Sequence, residues 1–266
     1  MALRPQLQDG MEVRPADLVL IHGGPGAQGS LHGLRAALPA DLNAREILQR
    51  YAGGQRLSVQ THVDDMAAVV QSDANILGHS WGAMLSLSFA SQFPHRCRRL
   101  LLVGCGTYSE ASRQEYVRRI LLRFDPERAA LLKELVAQAP TAAERAAAFR
   151  AYGDYATSVQ AFDPIPDPCP DPDPQYDPDG HAQTWADAMR LQEEGVEPAR
   201  FSSIQCPVTL IQGADDPHPG RLIFDDLKPH IPQLEFIELE QCGHEPWLER
   251  HARERFLEIV TQLCRW

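Results

Sequence analysis

The chain has 266 residues, 44% of them hydrophobic, and its 36 acidic and 25 basic side chains give a net charge of −11. This length suits one α/β domain with an inserted subdomain, and the acidic balance disfavours nucleic acids and anionic membrane surfaces as partners. The sequence shows neither the apolar core of a signal peptide nor a membrane-length run of about 18 apolar residues, so a cytoplasmic protein is expected. Six cysteines without metal-ligand spacing predict reduced, mostly buried thiols.

Short apolar runs alternate with helix-like stretches along the chain, which is typical of an α/β fold with a mostly parallel sheet and helices on both faces. The short N-terminus before the first run leaves room for at most one edge strand. Strands are predicted over residues 18–22, 45–50, 75–79, 99–104, 207–212 and 234–239. Helices are predicted over residues 63–71, 81–92 and 249–263.

The first predicted strand runs into a glycine-rich loop with the sequence His-Gly-Gly-Pro-Gly at residues 22–26. Acyl transfer passes through a tetrahedral intermediate with negative charge on oxygen, which needs fixed donors such as backbone N–H groups. Glycines let the backbone approach a ligand without a side chain in the way. We therefore assign one donor of an oxyanion hole to the N–H of Gly24.

The third predicted strand leads into Gly78-His79-Ser80-Trp81-Gly82, the Gly-x-Ser-x-Gly pattern of a nucleophile elbow. In an elbow the serine occupies a tight strand-to-helix turn, its hydroxyl projects from the tip, and the flanking positions must be small. The residue after the nucleophile supplies a further oxyanion donor. The pattern predicts that Ser80 is the nucleophile and that the Trp81 N–H completes the oxyanion hole.

A long insertion separates the predicted strands at 99–104 and 207–212. Three helices are predicted in it, over residues 112–123, 126–139 and 141–155, which indicates a helical cap. We accordingly divide the chain into a core of residues 1–106 and 204–266 and a cap of residues 107–203. Alternating prolines exclude helix and central strand over residues 163–180 and predict a mobile, extended linker, whose aspartates lack the spacing of a calcium-binding EF-hand loop.

Two aspartates follow the predicted strand at 207–212, where the acid of a catalytic triad should lie. Asp216 stands three positions after Gly213 and is the preferred candidate, with Asp215 as the alternative. The last predicted strand leads to His244, which we assign as the general base that takes the proton from Ser80. His218 is the rival base because it follows the acid closely.

The order Ser80, Asp216, His244 is that of an α/β-hydrolase, and the chain resembles the proline iminopeptidase group of serine peptidases within that superfamily. The resemblance rests on the two glycine motifs at 22–26 and 78–82, on residues 213–216, and on Gly243-His244. It implies a serine hydrolase with these three residues as its triad. Such chemistry needs no cofactor and no metal, and its partner is a small-molecule or short-peptide substrate.

The sequence predicts the class of substrate less specifically than it predicts the catalytic residues. Proteins of this group have aspartate at the position of Leu48 and glycine at the position of Tyr51. Their caps carry an acidic motif that binds the free amino group of the substrate, and this chain lacks that motif. The nearest trace of it ends in Glu193 and Glu194. An amide with a free N-terminus is the first candidate on resemblance, and a carboxylic ester, thioester or lactone is the second. A non-catalytic binding protein on the same fold is a third.

Overall fold

The protein is described by a computed structural model that covers residues 6–7, 17–70, 73–172 and 174–265. The backbone of these residues forms strands β1 (Gln6–Leu7), β2 (Leu18–Ile21), β3 (Ala27–Gln28), β4 (Arg45–Leu48), β5 (Ala74–His79), β6 (Cys97–Val103), β7 (Gln175–Tyr176), β8 (Val208–Gly213) and β9 (Leu234–Leu239). Seven of them build one sheet in the order β1-β4-β2-β5-β6-β8-β9, and β3 pairs with β7 apart from it. Only the edge pair β1–β4 is antiparallel in this sheet.

The helices of the described residues connect these strands and cover the sheet. They are α1 (His32–Ala37), α2 (Val59–Val69), α3 (Trp81–Gln92), α4 (Glu110–Leu121), α5 (Pro126–Gln138), α6 (Ala142–Gln160), α7 (Pro178–Glu193), α8 (Gly220–Leu227) and α9 (Arg253–Arg265). Local sequence explains several ends. The Ser58 side chain accepts a hydrogen bond from the Thr61 N–H and caps α2, and α3 ends before Pro94, which cannot continue a helix.

The sheet has an apolar core on each face because successive strand residues point to opposite sides. In β2, Val19 and Ile21 face the layer of α2, α3 and α8, whereas Leu18 and Leu20 face the layer of α1 and α9. All four side chains are fully buried. Burial on both faces explains why this strand is continuously hydrophobic in sequence.

The predicted fold class is confirmed. Each of the six predicted strands is present, with ends within two residues of the prediction, and the single short edge strand is β1. Two of the predicted helices, α2 and α9, begin at other residues than predicted. Helix α2 begins four residues earlier than predicted, at its Ser58 cap, and α9 begins four residues later, because Glu249 and its neighbours form turns that hold the insertion.

The insertion between β6 and β8 contains α4 to α7, and a proline-rich segment, residues 161–177, joins α6 to α7. We call this segment the strap. Its first residues are bound to the loop after β9, since the N–H groups of Phe162 and Asp163 each donate to the Glu249 carboxylate at 2.8 Å. The Ile165 N–H also donates to the Leu248 carbonyl at 2.7 Å.

The far end of the strap is bound to the glycine-rich loop after β2. Its strand β7 pairs with β3, the Asp177 N–H donates to the Gly26 carbonyl at 2.8 Å, and the Asp177 carboxylate accepts from the Ala52 N–H at 2.6 Å. The expectation of a mobile linker therefore does not match the contacts, because hydrogen bonds hold the segment at both ends. Residue 173 lies outside the described residues.

Replacing Gly82 with alanine tests the close packing of the elbow. A Cβ atom at this position would lie 2.1 Å from the Ile21 carbonyl oxygen, and one at Gly78 would lie 2.2 Å from the Gly82 oxygen. These contacts are with backbone, which cannot move aside as a side chain can. We expect Gly82→Ala to lower the free energy of unfolding by about 2–3 kcal/mol in urea denaturation, whereas Gly153→Ala, where nothing lies within 4 Å, should not destabilise the protein.

Candidate active site

Ser80 occupies the turn between β5 and α3 in a strained backbone conformation. Its φ of 54° and ψ of −119° are unusual for a residue with a side chain and cost about 1–3 kcal/mol. The surroundings hold the strain, because the Ser80 N–H donates to the Val103 carbonyl of β6 at 2.8 Å. Gly78 and Gly82 allow β5, α3 and β2 to approach closely around the turn. This is the geometry that the elbow pattern predicts.

The glycine-rich loop after β2 lies directly against Ser80. A Cβ atom at Gly23 would be 3.1 Å from the Ser80 Cβ, so a side chain there would crowd the nucleophile. Gly24 has a φ of +47°, in the left-handed region that favours glycine. Among the described residues, neither the Gly24 N–H nor the Trp81 N–H has a hydrogen-bond acceptor. Both N–H groups therefore lack an acceptor within the described residues, as an oxyanion donor requires.

Asp216 and His244 meet at the carboxyl edge of the sheet, in the loops after β8 and β9. The His244 Nδ1 lies 2.7 Å from the Asp216 Oδ2. The Asp216 carboxylate is fully buried, and the Gln212 amide also donates to Oδ2 at 2.7 Å. Asp215 is instead partly exposed, and its backbone carbonyl accepts from Arg123. Of the two aspartates, it is Asp216 whose carboxylate contacts the histidine.

Ser80 and His244 each lie beside the end of β6. A Cβ atom at Gly104 would lie 2.9 Å from the His244 Cε1, and Gly104 follows Val103, which binds the Ser80 N–H. The ring of His79 lies 4.7 Å from that of His244, and its Nε2 donates to the His244 carbonyl at 3.0 Å. Among the described residues the Ser80 hydroxyl makes no hydrogen bond within 3.5 Å. Catalytic contacts of this kind often tighten only when substrate binds.

The electrostatics of the pair favour a charged histidine beside a charged aspartate. Burial acts to lower the pKa of His244, but the charge of Asp216 and the hydrogen bond to it raise the pKa above the ordinary value of 6.5. Burial acts to raise the pKa of Asp216, but His244 and His218 together hold it below its usual range. Asp216 is therefore ionised at neutral pH and stabilises a proton on His244.

The raised pKa predicts the pH dependence of activity. A general base must be neutral in the free enzyme, so kcat/KM should rise with pH and fall as the pH drops through the pKa of His244. Because the folded-state pKa is raised, we expect the acid limb of log kcat/KM to be centred above pH 6.5. A pH profile with one acyl substrate measures this midpoint, and a midpoint clearly below 6.5 would contradict the assigned electrostatics.

Three further polar groups surround this pair, and two of them, Gln212 and Glu249, were not identified from the sequence. His218, weighed above as a rival base, is bound to the same carboxylate, because its Nδ1 lies 2.9 Å from the Asp216 Oδ1. Gln212 contacts the other oxygen, and Glu249 accepts from the Gly243 N–H at 3.0 Å, next to His244. Only His218 carried a sequence signal, namely its position two residues after the acid.

Asp216, His218 and His244 are also the described residues best placed to hold a metal ion, since one ligand atom from each lies within 4.8 Å of the others. The ring arrangement does not favour that use. Both histidines turn Nδ1 toward the carboxylate as hydrogen-bond partners, and their rings are stacked with an interplanar angle of 22°. The in-plane lone pairs of two stacked rings do not converge on one ion. We interpret the cluster as a hydrogen-bonded acid–base group.

The two glutamates of the predicted cap trace are exposed side chains. Glu193 and Glu194 are exposed at the end of α7, and Glu194 pairs with Arg190 at 2.6 Å. Between Leu48 and Tyr51, the Gln49 Oε1 accepts from the Trp81 indole N–H at 3.1 Å. None of these contacts supplies a carboxylate for a substrate amino group.

The fold and the residues at its carboxyl edge define an α/β-hydrolase. A family model described as "Alpha/beta hydrolase family" matches residues 18–259, and the chain belongs to this family. The predicted superfamily is therefore confirmed. Among the described residues, no helix has the length and apolar character that crossing a membrane requires. All six cysteines are free thiols, and five of them are buried, as expected.

Known relatives have several activities. The chain is 25% identical to a pimeloyl-[acyl-carrier protein] methyl ester esterase of Aromatoleum aromaticum, over 87% of this chain and 92% of that protein. It is 23% identical to a 2-hydroxy-6-oxo-2,4-heptadienoate hydrolase of Pseudomonas putida, over 92% of this chain and 87% of that protein. The solved structure of a proline iminopeptidase of Mycobacterium smegmatis matches with a TM-score of 0.56 at 18% identity, over 96% of this chain and 91% of that one.

Proposed function

We propose that this chain is a serine hydrolase that cleaves a small ester or amide through an acyl-enzyme. Ser80 attacks the carbonyl carbon, and its proton passes to the Nε2 of His244. The N–H groups of Gly24 and Trp81 bind the oxyanion, and Asp216 orients His244 and stabilises its charge. His244 then protonates the leaving group. In the second half, water gives a proton to His244, attacks the acyl carbonyl, and releases the acid and Ser80. A core of residues 1–106 and 204–266 carries these groups beneath a cap of residues 107–203.

One observation carries the proposal. The strained Ser80 turn, with φ of 54°, and the 2.7 Å contact between His244 and a fully buried Asp216 lie at the same edge of the sheet. Backbone strain and a buried charge both lower stability, and they persist where a function uses them. Together they supply a nucleophile, a base and an acid in the roles that acyl transfer needs.

Labelling with a fluorophosphonate probe tests the serine hydrolase proposal. The probe reacts with an activated serine, so the wild-type protein should be labelled and Ser80→Ala should not. Ser202→Ala is the matched control, since Ser202 is an exposed serine in a short helix before β8. If the folded wild-type protein stays unlabelled over a pH range of 6 to 9, the chain is instead a non-catalytic binding protein on this fold.

Among acyl substrates, a small carboxylic ester is the first to test. The relative with the highest sequence identity reported above is an ester hydrolase, and ester cleavage requires no group beyond those already named. A panel of short nitrophenyl esters, a thioester and a lactone would identify the preferred acyl chain and leaving group by kcat/KM. If the protein hydrolyses amides but none of these substrates, the amide becomes the first candidate and the ester the second.

An amide with a free N-terminus is the second candidate, and Glu245 favours it. This residue follows His244, is partly buried, and its carboxylate has no hydrogen bond to the described residues. Burial raises the pKa of Glu245 to about 7, with Asp167 and Glu249 raising it and His244 lowering it. A substrate ammonium group beside Glu245 would offset the cost of burying this charge.

Glu245→Gln therefore separates the two candidates. If Glu245 binds a substrate amine, kcat/KM for an aminoacyl-naphthylamide should fall about 10- to 100-fold, as for a lost hydrogen bond to a charged group. An N-acetylated amide and a nitrophenyl acetate should change little. Glu240→Gln, at an exposed glutamate of the same loop, is the control. All rates are taken on the pH plateau, and an equal loss for amine-bearing and acetylated substrates would remove the amine-binding role.

A further inference from the structure

Three aromatic rings form a continuous stack from the insertion to the candidate base. The ring of Tyr116, on α4, lies 4.3 Å from that of His218 at an interplanar angle of 28°. The His218 ring in turn lies 4.6 Å from that of His244 at 22°. His218 is thus held between the first helix of the insertion and the candidate base.

The two histidines also share one carboxylate. Asp216 receives His244 on Oδ2, and on Oδ1 it receives both the His218 Nδ1 at 2.9 Å and the His218 N–H at 2.8 Å. An ionised carboxylate can only accept hydrogen bonds. Each Nδ1 must therefore carry a proton, so both rings are held in the same tautomer with Nε2 free of hydrogen when neutral.

This arrangement has a chemical consequence when His244 gains a proton. The charge of Asp216 that stabilises the new imidazolium is already engaged by a second donor ring on its other oxygen. A second positive charge on His218 would lie against the face of His244 and repel it. Two groups coupled in this way take up protons as a pair.

We propose that His218 is a positioning residue that shares the Asp216 carboxylate with His244 and, stacked between Tyr116 and His244, lowers the affinity of His244 for a proton. The inference rests on the proposed function for its role in turnover, but its physical content concerns the free protein. Through this stack α4 is linked to the base, because Tyr116 packs on one face of the His218 ring and His244 packs on the other.

Other titratable groups face this cluster and must be kept constant. His79 packs against His244 and stays neutral because burial keeps its pKa well below the ordinary value. Burial and the nearby Asp216 raise the pKa of Tyr116 to about 12. Glu245 acts on His244 through its charge, and the Arg119 guanidinium donates to the Asp216 carbonyl at 3.4 Å. Variants at position 218 leave all four unchanged.

The test is a site-resolved NMR titration of the histidine rings in the wild-type protein and in His218→Phe. Phenylalanine keeps a flat ring in the stack but cannot donate to Asp216 or carry charge. We expect the midpoint of His244 to move upward by about half to one pH unit, because the carboxylate is no longer shared. His218→Gln, which retains an N–H donor, should move it upward by less. His95→Phe, the same change at an exposed histidine, should leave it unchanged.

The outcomes distinguish this inference from the proposed function. A His244 midpoint that is unchanged or lowered in both position-218 variants overturns the inference, whatever the activity. Fluorophosphonate labelling of the same samples reports on Ser80 separately, so an unlabelled wild-type protein removes the proposed function while the titration still decides the role of His218. If labelling occurs, the acid limb of its rate should shift upward with the titration midpoint.

Discussion

Asp216→Asn is expected to reduce kcat by about 10⁴-fold, whereas Asp215→Asn should change kcat by less than about threefold. The buried Asp216 carboxylate accepts from the His244 Nδ1 at 2.7 Å, and this contact fixes the tautomer that leaves Nε2 free. If the two His218 donors on Oδ1 hold the oxygen of an asparagine at this position, its NH2 group faces His244 in place of an acceptor, so the imidazole would turn or change tautomer. Steady-state kinetics of the two variants measures the difference.

Asp215 is a well-matched control because it is the neighbouring residue and has the same side chain. Its carboxylate makes no hydrogen bond to the described residues, and it is partly exposed. Thermal unfolding of both variants should accompany the kinetics, so that loss of activity is compared between folded proteins. An active Asp216→Asn with an inactive Asp215→Asn would reverse the assignment.

Ser80→Ala is expected to lower kcat by at least about 10⁴-fold, because a serine hydrolase that has lost its nucleophile retains only the contribution of binding and the oxyanion donors. The substitution should not disturb the packing of the turn, because Gly78 and Gly82 are retained. Stopped assays with a nitrophenyl ester on freshly purified protein measure the residual rate. Ser202→Ala, measured alongside, should retain the wild-type rate, and comparable rates in both variants would exclude Ser80 as the nucleophile.

Local sequence was sufficient where a feature depends on neighbouring residues. The Ser80 turn could be predicted because its strain and close packing need glycine at fixed positions two residues on either side. A strand such as β2 could be predicted because a strand buried on both faces is continuously apolar. Strand β9 could be predicted because its apolar and acidic residues alternate. Helix α6 of the insertion also begins at a local pattern, a capping box formed by Thr141 and Glu144.

Features that depend on distant parts of the chain could not be predicted in this way. Glu249 binds Phe162 and Asp163, which lie 87 and 86 residues earlier in the chain. Nothing local marks it as the residue that holds the strap. The prolines of residues 163–180 predicted that this segment contains no helix. The prediction is wrong for its last three residues, because α7 begins at Pro178. Proline is tolerated at the first position of a helix, where its missing N–H would have no partner within the helix. The prolines could not show that hydrogen bonds fix both ends of the segment.

The stack that includes His218 illustrates the same limit within the site. His218 is close to Asp216 in sequence, so its contact with the carboxylate could be anticipated. Its stacking on Tyr116 depends on how α4 packs over the loop after β8, and that packing joins residues about a hundred positions apart. Sequence reasoning therefore identified the candidate chemical groups, whereas the structure was needed for the groups that orient them.

The central claim is that acyl transfer proceeds through a covalent ester on Ser80, and acid quenching during turnover tests it most directly. A slowly hydrolysed nitrophenyl ester is mixed with the protein, the reaction is stopped in acid, and peptide mass spectrometry locates the adduct. We predict the mass of the acyl group on the peptide that contains Ser80, and its absence in Ser80→Ala. Turnover with no adduct under any quench time, or an adduct on another residue that persists in Ser80→Ala, would contradict the claim.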